Sequence, residues 1–373
     1  MGGPDAVGGE TPAPFGQQEL VGQIVEYELD WPGAVKMDMP AMDMSPMPAD
    51  PFACCLPGGG STHELVFDRA GGSVFWVSGQ NYDHVARINL DGSATYFAMP
   101  GGSAPHGMAF DQQGRLWVTF EGLGQLARLD PDGSIAETID ISIHAKEVAG
   151  PFNPRPHGLG IGSDGALWFT GKLSNTIGRV DASRNVQHFV LPTIGAVPIY
   201  ISAGPDGSMW CTELGGGAIA RVSAQGQVRE FPIPTAGSRP IAIVRGPDGK
   251  SMWFSEEAGA KVGRIDMQGN ITEFPVPLTH RAAILAGLAF DTQGNLWVQQ
   301  YISPPAFGPT GDDYIVRLGG ALADASPGDL SGVAVAYYKA PSQRTVMHRI
   351  TQGPDGNIWF SELGLNRIGK VML

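Results

Sequence analysis

Positive charge is scarce in this chain: 24 Lys and Arg stand against 37 Asp and Glu, a formal net charge of −13 over 373 residues. No basic stripe is available to neutralise phosphates, which argues against nucleic acid as the main partner. Cysteine is nearly absent too. Cys54, Cys55 and Cys211 cannot form a disulfide framework, and the N-terminus, MGGPDAVGGE, lacks the basic start and apolar core of a secretory signal. The expectation is therefore a reducing, cytoplasmic setting. No run of about twenty apolar residues occurs, so neither a membrane span nor a membrane partner is expected. Serine nucleophile elbow, Walker loop and dinucleotide fingerprint are all missing, and the GGGS at 58–61 lacks the strand–helix context of a phosphate cradle.

What the chain has in excess is glycine and proline, 53 and 30 residues. They fall at repeat boundaries, so they indicate a turn-dense β fold rather than disorder. Seven copies of one phrase end in Trp76, Trp117, Trp168, Trp210, Trp253, Trp297 and Trp359, mostly 41 to 51 residues apart, with a last gap of 62. A period in the forties with a Gly/Asp turn before an aromatic strand is the signature of propeller blades. One closed, all-β, seven-bladed propeller with four antiparallel strands per blade uses nearly the whole chain. The seven Trp are expected to pack between neighbouring blades.

In the blade from Ile241 to Pro277, four β-runs separated by turns (PIAIVRG, SMWFSEE, AGAKVGRI and NITEFPVP) define strands A to D from the inside outward. Seven A–B–C sets fill residues 61–373, and the chain stops at Leu373 after a strand C. The missing outer strand is expected within residues 21–30, where Gln23–Leu29 matches VREFPIP and ITEFPVP, so that the two termini share one sheet and no edge stays open. Segments 31–60, 142–154 and 301–313 exceed the repeat at D–A or B–C connections, which emerge on one mouth of the channel. Segment 320–332 lengthens a C–D connection and is expected to be a surface excursion on the opposite face.

His106, His157 and His348 each lie 11 residues before their Trp, and His63, like His106, stands five residues before a turn Asp (Asp68, Asp111). The four thus occupy one structural position in four consecutive blades, because the seventh adjoins the first. Ile199, Ile241 and Ala286 fill that position in the other three. One side of the mouth is imidazole and the other aliphatic. Converging imidazoles suit Zn, Fe, Cu or Ni, whereas Mg²⁺ prefers oxygen. As a constellation only, the set resembles the four-histidine iron site of carotenoid cleavage oxygenases. His84, His144, His188 and His280 lie off the register and are expected at the surface.

Carboxylates at the end of strand B are expected to share the mouth. Glu213, Glu256 and Glu362 stand three residues past their Trp, which suggests a repeated structural role such as bonding a neighbouring blade's amide. Glu121 stands four past its Trp, in the blade of His106, and is the better base or second-shell candidate. Lys172 holds the same late position one blade on and is a candidate to bind an anionic group. Tyr200 and Tyr301 are candidates to line the pocket or donate a proton. Met37, Met39, Met42, Met44 and Met47 precede Cys54-Cys55. Such soft donors select Cu(I), while the blander reading is a flexible lid over an apolar cavity. Cys211 reads as core.

The phrases GPDGSMWCTE, GPDGKSMWFSE and GPDGNIWFSE, each followed by IGR, VGR or a close variant, resemble the virginiamycin B lyase (streptogramin lyase) family. That family opens a cyclic depsipeptide by elimination at an ester with a Mg²⁺ site, two histidines on neighbouring blades and nearby carboxylates. Pro105-His106-Gly107 with Trp117 and Glu121 fits its most telling motif, and His63 suits the second histidine. The resemblance implies catalytic roles for His106, His63 and Glu121. A family metal-binding Glu is replaced here by Ala104. The leading expectation is a metal-dependent lyase-like enzyme with a divalent cation (Mg by resemblance; Fe, Zn or Cu by ligand type) on His63, His106, His157 and His348. A four-His oxygenase acting on an apolar substrate is the second reading, and a non-catalytic binding propeller the third. The expected partner is a small-molecule substrate, acted on by a monomer.

Overall fold

The computed structural model of the chain describes residues 22–33, 61–68, 74–144, 150–302 and 311–373. The methionines at 37–47 and Cys54-Cys55, with their copper, lid and redox readings, lie outside the described residues. Seven four-stranded antiparallel sheets form the seven blades, numbered along the chain: blade 1 spans Thr62–Ala98, blade 2 Pro105–Asp140, blade 3 Pro156–Val190, blade 4 Pro198–Pro232, blade 5 Pro240–Pro275, blade 6 Ala283–Lys339, and blade 7 Met347–Val371 with Ile24–Glu28. Strand A of each blade packs against strand A of the next and lines the axis. Blade 7 draws its strands from both ends of the chain: Ile24–Glu28 lies beside Arg367–Val371, with Ile24 opposite Val371 and Glu28 opposite Arg367. The closure expected from the sequence is therefore present, and it removes the one edge that would otherwise be bare.

The repeated phrase folds as it does because each part satisfies another. In the A–B turns, Asp111 and Asp291 accept the indole N–H of Trp117 and Trp297 at 3.0 and 2.8 Å, and Asp206 and Asp355 do the same for Trp210 and Trp359 at 3.1 Å. Each Trp is buried, and most stack on a strand-D aromatic, such as Phe97 on Trp76 or Tyr27 on Trp359. They also join the apolar clusters between adjacent blades: Trp117 packs with Leu159 and Phe169 of blade 3, and Trp359 with Leu65 and Phe75 of blade 1. Cys211 is buried core.

Segment 320–332 is the surface excursion expected, with most of its residues exposed, but it is anchored to the neighbouring blade. Its 3-10 turn Gly320–Asp324 buries Leu322 in the cluster that holds the blade 5 core, and Ala323 accepts a hydrogen bond from Arg264. The excursion is thus pinned to blade 5 through Leu322 and Ala323. No helix among the described residues is long and apolar enough to cross a membrane.

Candidate functional site

Every A–B ladder breaks register at the same step, between Thr62 and Leu65, Pro105 and Met108, Pro156 and Leu159, Pro198 and Ile201, Pro240 and Ile243, Leu285 and Leu288, and Met347 and Ile350. The position occupied by the four histidines is the first residue inside this irregularity. A bulge re-aims a side chain, and here it does so at the rim of the channel. Two residues upstream, Ala104, Arg155, Val197, Arg239 and Val346 adopt left-handed backbone with φ between 46° and 56°. That is an uncommon conformation for non-glycine residues, and it costs of order 1 kcal/mol or more each.

The bulge is held by a polar residue that sequence reading missed, two places after each Trp. Thr119 accepts the Gly107 amide at 2.7 Å and donates to the carbonyl of His157 at 3.3 Å in the next blade. Thr170 does the same for Gly158 and Ile199, and Ser361 for Arg349 and His63. The signal was available, because Ser78, Thr119, Thr170, Thr212, Ser255, Gln299 and Ser361 are all polar within otherwise apolar strands. These staples place each imidazole relative to the next blade. In Gly107 a Cβ would stand 2.2 Å from the His157 carbonyl, so the glycine of Pro-His-Gly is required by this close approach.

The four rings meet. Ring centroids lie 4.7 Å apart for His63 and His106, 4.8 Å for His63 and His348, and 3.7 Å, stacked, for His106 and His157. All four residues are buried. Donor atoms of His63, His106 and His348 lie within 4.8 Å of one another, and so do those of His106, His157 and Glu121. Three rings are fixed through Nδ1. That of His106 faces the His157 carbonyl at 3.2 Å, that of His157 faces Glu121 Oε2 at 3.3 Å, and that of His348 faces the Tyr200 hydroxyl at 3.0 Å. His106 Nε2 is buried without a hydrogen-bond partner. Burial, reinforced by the other imidazoles, holds His63 and His106 well below the ordinary histidine range, and burial with His157 and Arg349 takes His348 to about 3.

Glu121 is committed rather than free. Lys172 Nζ lies 3.0 Å from Oε1, Gln80 donates to Oε2 at 2.9 Å, and Arg155 stands 3.5 Å away. Burial would raise this carboxyl, but Lys172 and His157 carry it down to about 2. Lys172, expected to receive an anionic group, is occupied by this carboxylate. Tyr200 contacts His348 and carries the Arg349 guanidinium over its ring at 4.8 Å, and Arg349 in turn pairs with Glu64 at 2.6 Å. Tyr301 has no contact with the four imidazoles; its charged neighbours are Glu257, Asp313 and Arg239.

Glu213, Glu256 and Glu362 correct an expectation. They do not bond a neighbouring amide and do not join the imidazoles. Fully buried, they face the strand-D acids Glu230, Glu273 and Glu26, and burial together with that facing charge raises them to about 8, 8 and 9. Strand parity explains the split. Side chains three and four residues past the Trp leave opposite faces of a blade. Gln80, Glu121 and Lys172 therefore meet across blades 1 to 3, while the Trp+3 acids turn away. His84, His144, His188 and His280 stand outside the cluster, half-buried or exposed.

Imidazole nitrogens on three sides and one buried ring nitrogen with no partner fit a divalent transition metal. Hydrogen-bond partners on Nδ1 are the usual company of metal-binding histidines. Mg²⁺ fits poorly, since Ala104 offers no oxygen donor and Glu121 is already paired with Lys172.

The Virginiamycin B lyase family model matches residues 138–304. A virginiamycin B lyase of Nocardia farcinica is 32% identical over 130 residues, 35% of this chain and 42% of that relative, so the matched part spans less than half its length. A selenomethionine-substituted virginiamycin B lyase structure from Staphylococcus aureus is 26% identical, covers 84% of this chain and 95% of its own, and superposes with a TM-score of 0.69. A catalytically inactive virginiamycin B lyase from the same organism, with quinupristin, shares the fold at 24% identity and TM-score 0.70, over 94% of this chain and all of the other. The resemblance first read from the blade phrases is thus borne out.

Proposed function

We propose that this relative of the virginiamycin B lyase family is a lyase-like enzyme that opens an ester-bearing small molecule by elimination at the histidine end of its channel. The observation that carries the reading is the Nδ1-anchored set of imidazoles with the partnerless Nε2 of His106 at its centre. His63, His106 and His348 would hold a divalent transition metal, which when bound supplies Lewis-acid polarisation of a substrate oxygen.

The chain's own residues divide the rest of the work. His157 is the base. Its Nδ1 is held by Glu121, as a carboxylate orients the histidine of a catalytic triad, and this leaves Nε2 to take a proton. Glu121 acts through His157 rather than on substrate, because Lys172 and Gln80 occupy its oxygens. The proton on the carbon next to the ester-bearing carbon passes to His157, the C–H electron pair becomes a carbon–carbon double bond, and the alkyl C–O bond breaks with its pair leaving on the carboxylate. No water is consumed. Ile199, Ile241 and Ala286, opposite the imidazoles, would hold an apolar part of the substrate and keep water out. The oxidative reading shares the imidazole site but nothing beyond it, and the non-catalytic reading has no observation of its own.

Incubation with quinupristin, the ligand of the Staphylococcus aureus relative, tests this by mass spectrometry. The expected product is ring-opened with unchanged mass. His157→Gln should abolish turnover and retain metal, while His106→Ala loses both. A product heavier by one water, or full activity in His157→Gln, would refute it.

A further inference from the structure

Strand C of every blade sets a cation directly opposite the Trp of strand B: Arg87, Arg128, Arg179, Arg221, Arg264, Arg317 and Lys370. Six of them reach an oxygen. Arg179, Arg221 and Lys370 pair with the turn acids Asp164, Asp206 and Asp355 at 2.6, 2.6 and 2.7 Å. Arg128 pairs with Asp130 and with Glu137 of strand D, while Arg87 and Arg264 donate to the carbonyls of Pro131 and Ala323 in the following blade.

Arg317 is the exception. Its guanidinium lies 5.9 Å over the Trp297 ring, and it has neither ion pair nor hydrogen bond among the described residues. Its Nε, like that of Arg179, is buried and unpartnered. The sequence explains the difference. The turn acids of blades 3, 4 and 7 stand four residues before their Trp, and blade 6 has Gln293 there. The strand-D site that is Glu137 opposite Arg128 is Ala336 opposite Arg317. Blade 6 thus lacks both acids, as blade 1 does with Gly72 and Thr95 in those places, but Arg87 of blade 1 reaches the Pro131 carbonyl and Arg317 reaches no such oxygen among the described residues. The same arginine lines a cleft of about 490 Å³ between blades 6 and 7, on the A–B turn face away from the histidines.

We infer that this cleft is a second ligand site, in which Arg317 takes the carboxylate of a small monoanionic ligand. The guanidinium presents parallel N–H donors that match a carboxylate in bidentate fashion, and those of Arg317 meet no acceptor among the described residues. The other polar side chains of the cleft are largely spoken for. Asn295 bonds Asp291 and the Gly320 amide, Asn357 bonds Asp355 and the Leu373 amide, and Gln352 bonds the Thr292 amide and the Gly356 carbonyl. The Gln293 amide group is free to contribute a second donor. Asp291 and Asp355 on the rim disfavour a dianion, so a carboxylate is preferred over a phosphate.

Thermal unfolding of the full chain, titrated with sodium acetate or inorganic phosphate against sodium chloride at matched ionic strength, tests the site. Acetate is expected to raise the midpoint saturably and more than phosphate does. Arg317→Gln should weaken acetate binding by roughly tenfold or more, the share of charge-assisted hydrogen bonds. Gln293→Asp supplies the acid that blades 3, 4 and 7 carry, so it should raise the midpoint without ligand and abolish the acetate response. An acetate effect equal to that of chloride, one that survives in Gln293→Asp, or a stronger response to phosphate would each overturn the assignment.

Discussion

Raising the pH through neutrality should destabilise this propeller, and the cause can be localised. Glu213, Glu256 and Glu362 are buried acids whose folded values stand near 8, 8 and 9, against an ordinary 4.5. A carboxyl raised in the fold keeps its proton where the unfolded chain has lost it. Stability is therefore full below about pH 4.5 and falls as pH rises toward the folded value. Each such group contributes a slope of about 1.4 kcal/mol per pH unit, so the three together give at most about 4 kcal/mol per unit. Against a total stability of about 5–15 kcal/mol, even a third of that is measurable. The histidines act with the opposite sign. His63, His106 and His348 are lowered, so they cost stability only as pH falls below about 6.5. The window from pH 7 to 8 isolates the acids. Urea unfolding there should show a falling midpoint, and Glu362→Gln, which keeps shape and donates permanently to Glu26, should flatten the slope by about 1.4 kcal/mol per unit. A flat or rising wild-type profile over that window, or a Gln variant less stable at pH 8, would refute the reasoning.

Lys172→Met strands the Glu121 carboxylate in a buried site and should cost about 3–5 kcal/mol by chemical unfolding, with most of the loss recovered in the double variant with Glu121→Gln. Gly107→Ala forces a Cβ against the His157 carbonyl and should destabilise by about 1–3 kcal/mol, with the loss visible as a lower thermal midpoint. Deleting residues 1–30 removes the outer strand Ile24–Glu28 and exposes the edge of Arg367–Val371. Size-exclusion chromatography should then show self-association, where the full chain runs as one species.

The architecture was legible because the repeat is local. A turn acid, a Trp and an apolar strand recur within each blade, and the strand that closes the ring repeats the outer-strand phrase. The shared register of His63, His106, His157 and His348 was legible for the same reason. Contacts between blades were not. Glu121 was open between acting as a base and supporting a histidine, because the partners that decide it, Lys172, Gln80 and His157, come from other blades. Tyr200 looked like pocket lining because its partner His348 lies 148 residues away. The different fates of Glu121 and Glu213 follow from strand parity, a one-residue offset that the sequence displays but whose meaning depends on which neighbour each face meets.

The most direct test of the histidine site is elemental analysis of untagged protein beside its His106→Ala variant, both purified without chelator. About one equivalent of zinc, iron, copper or nickel per chain, lost in the variant, is the expected result. Wild-type protein that carries no such metal and takes none up on reconstitution would contradict the account.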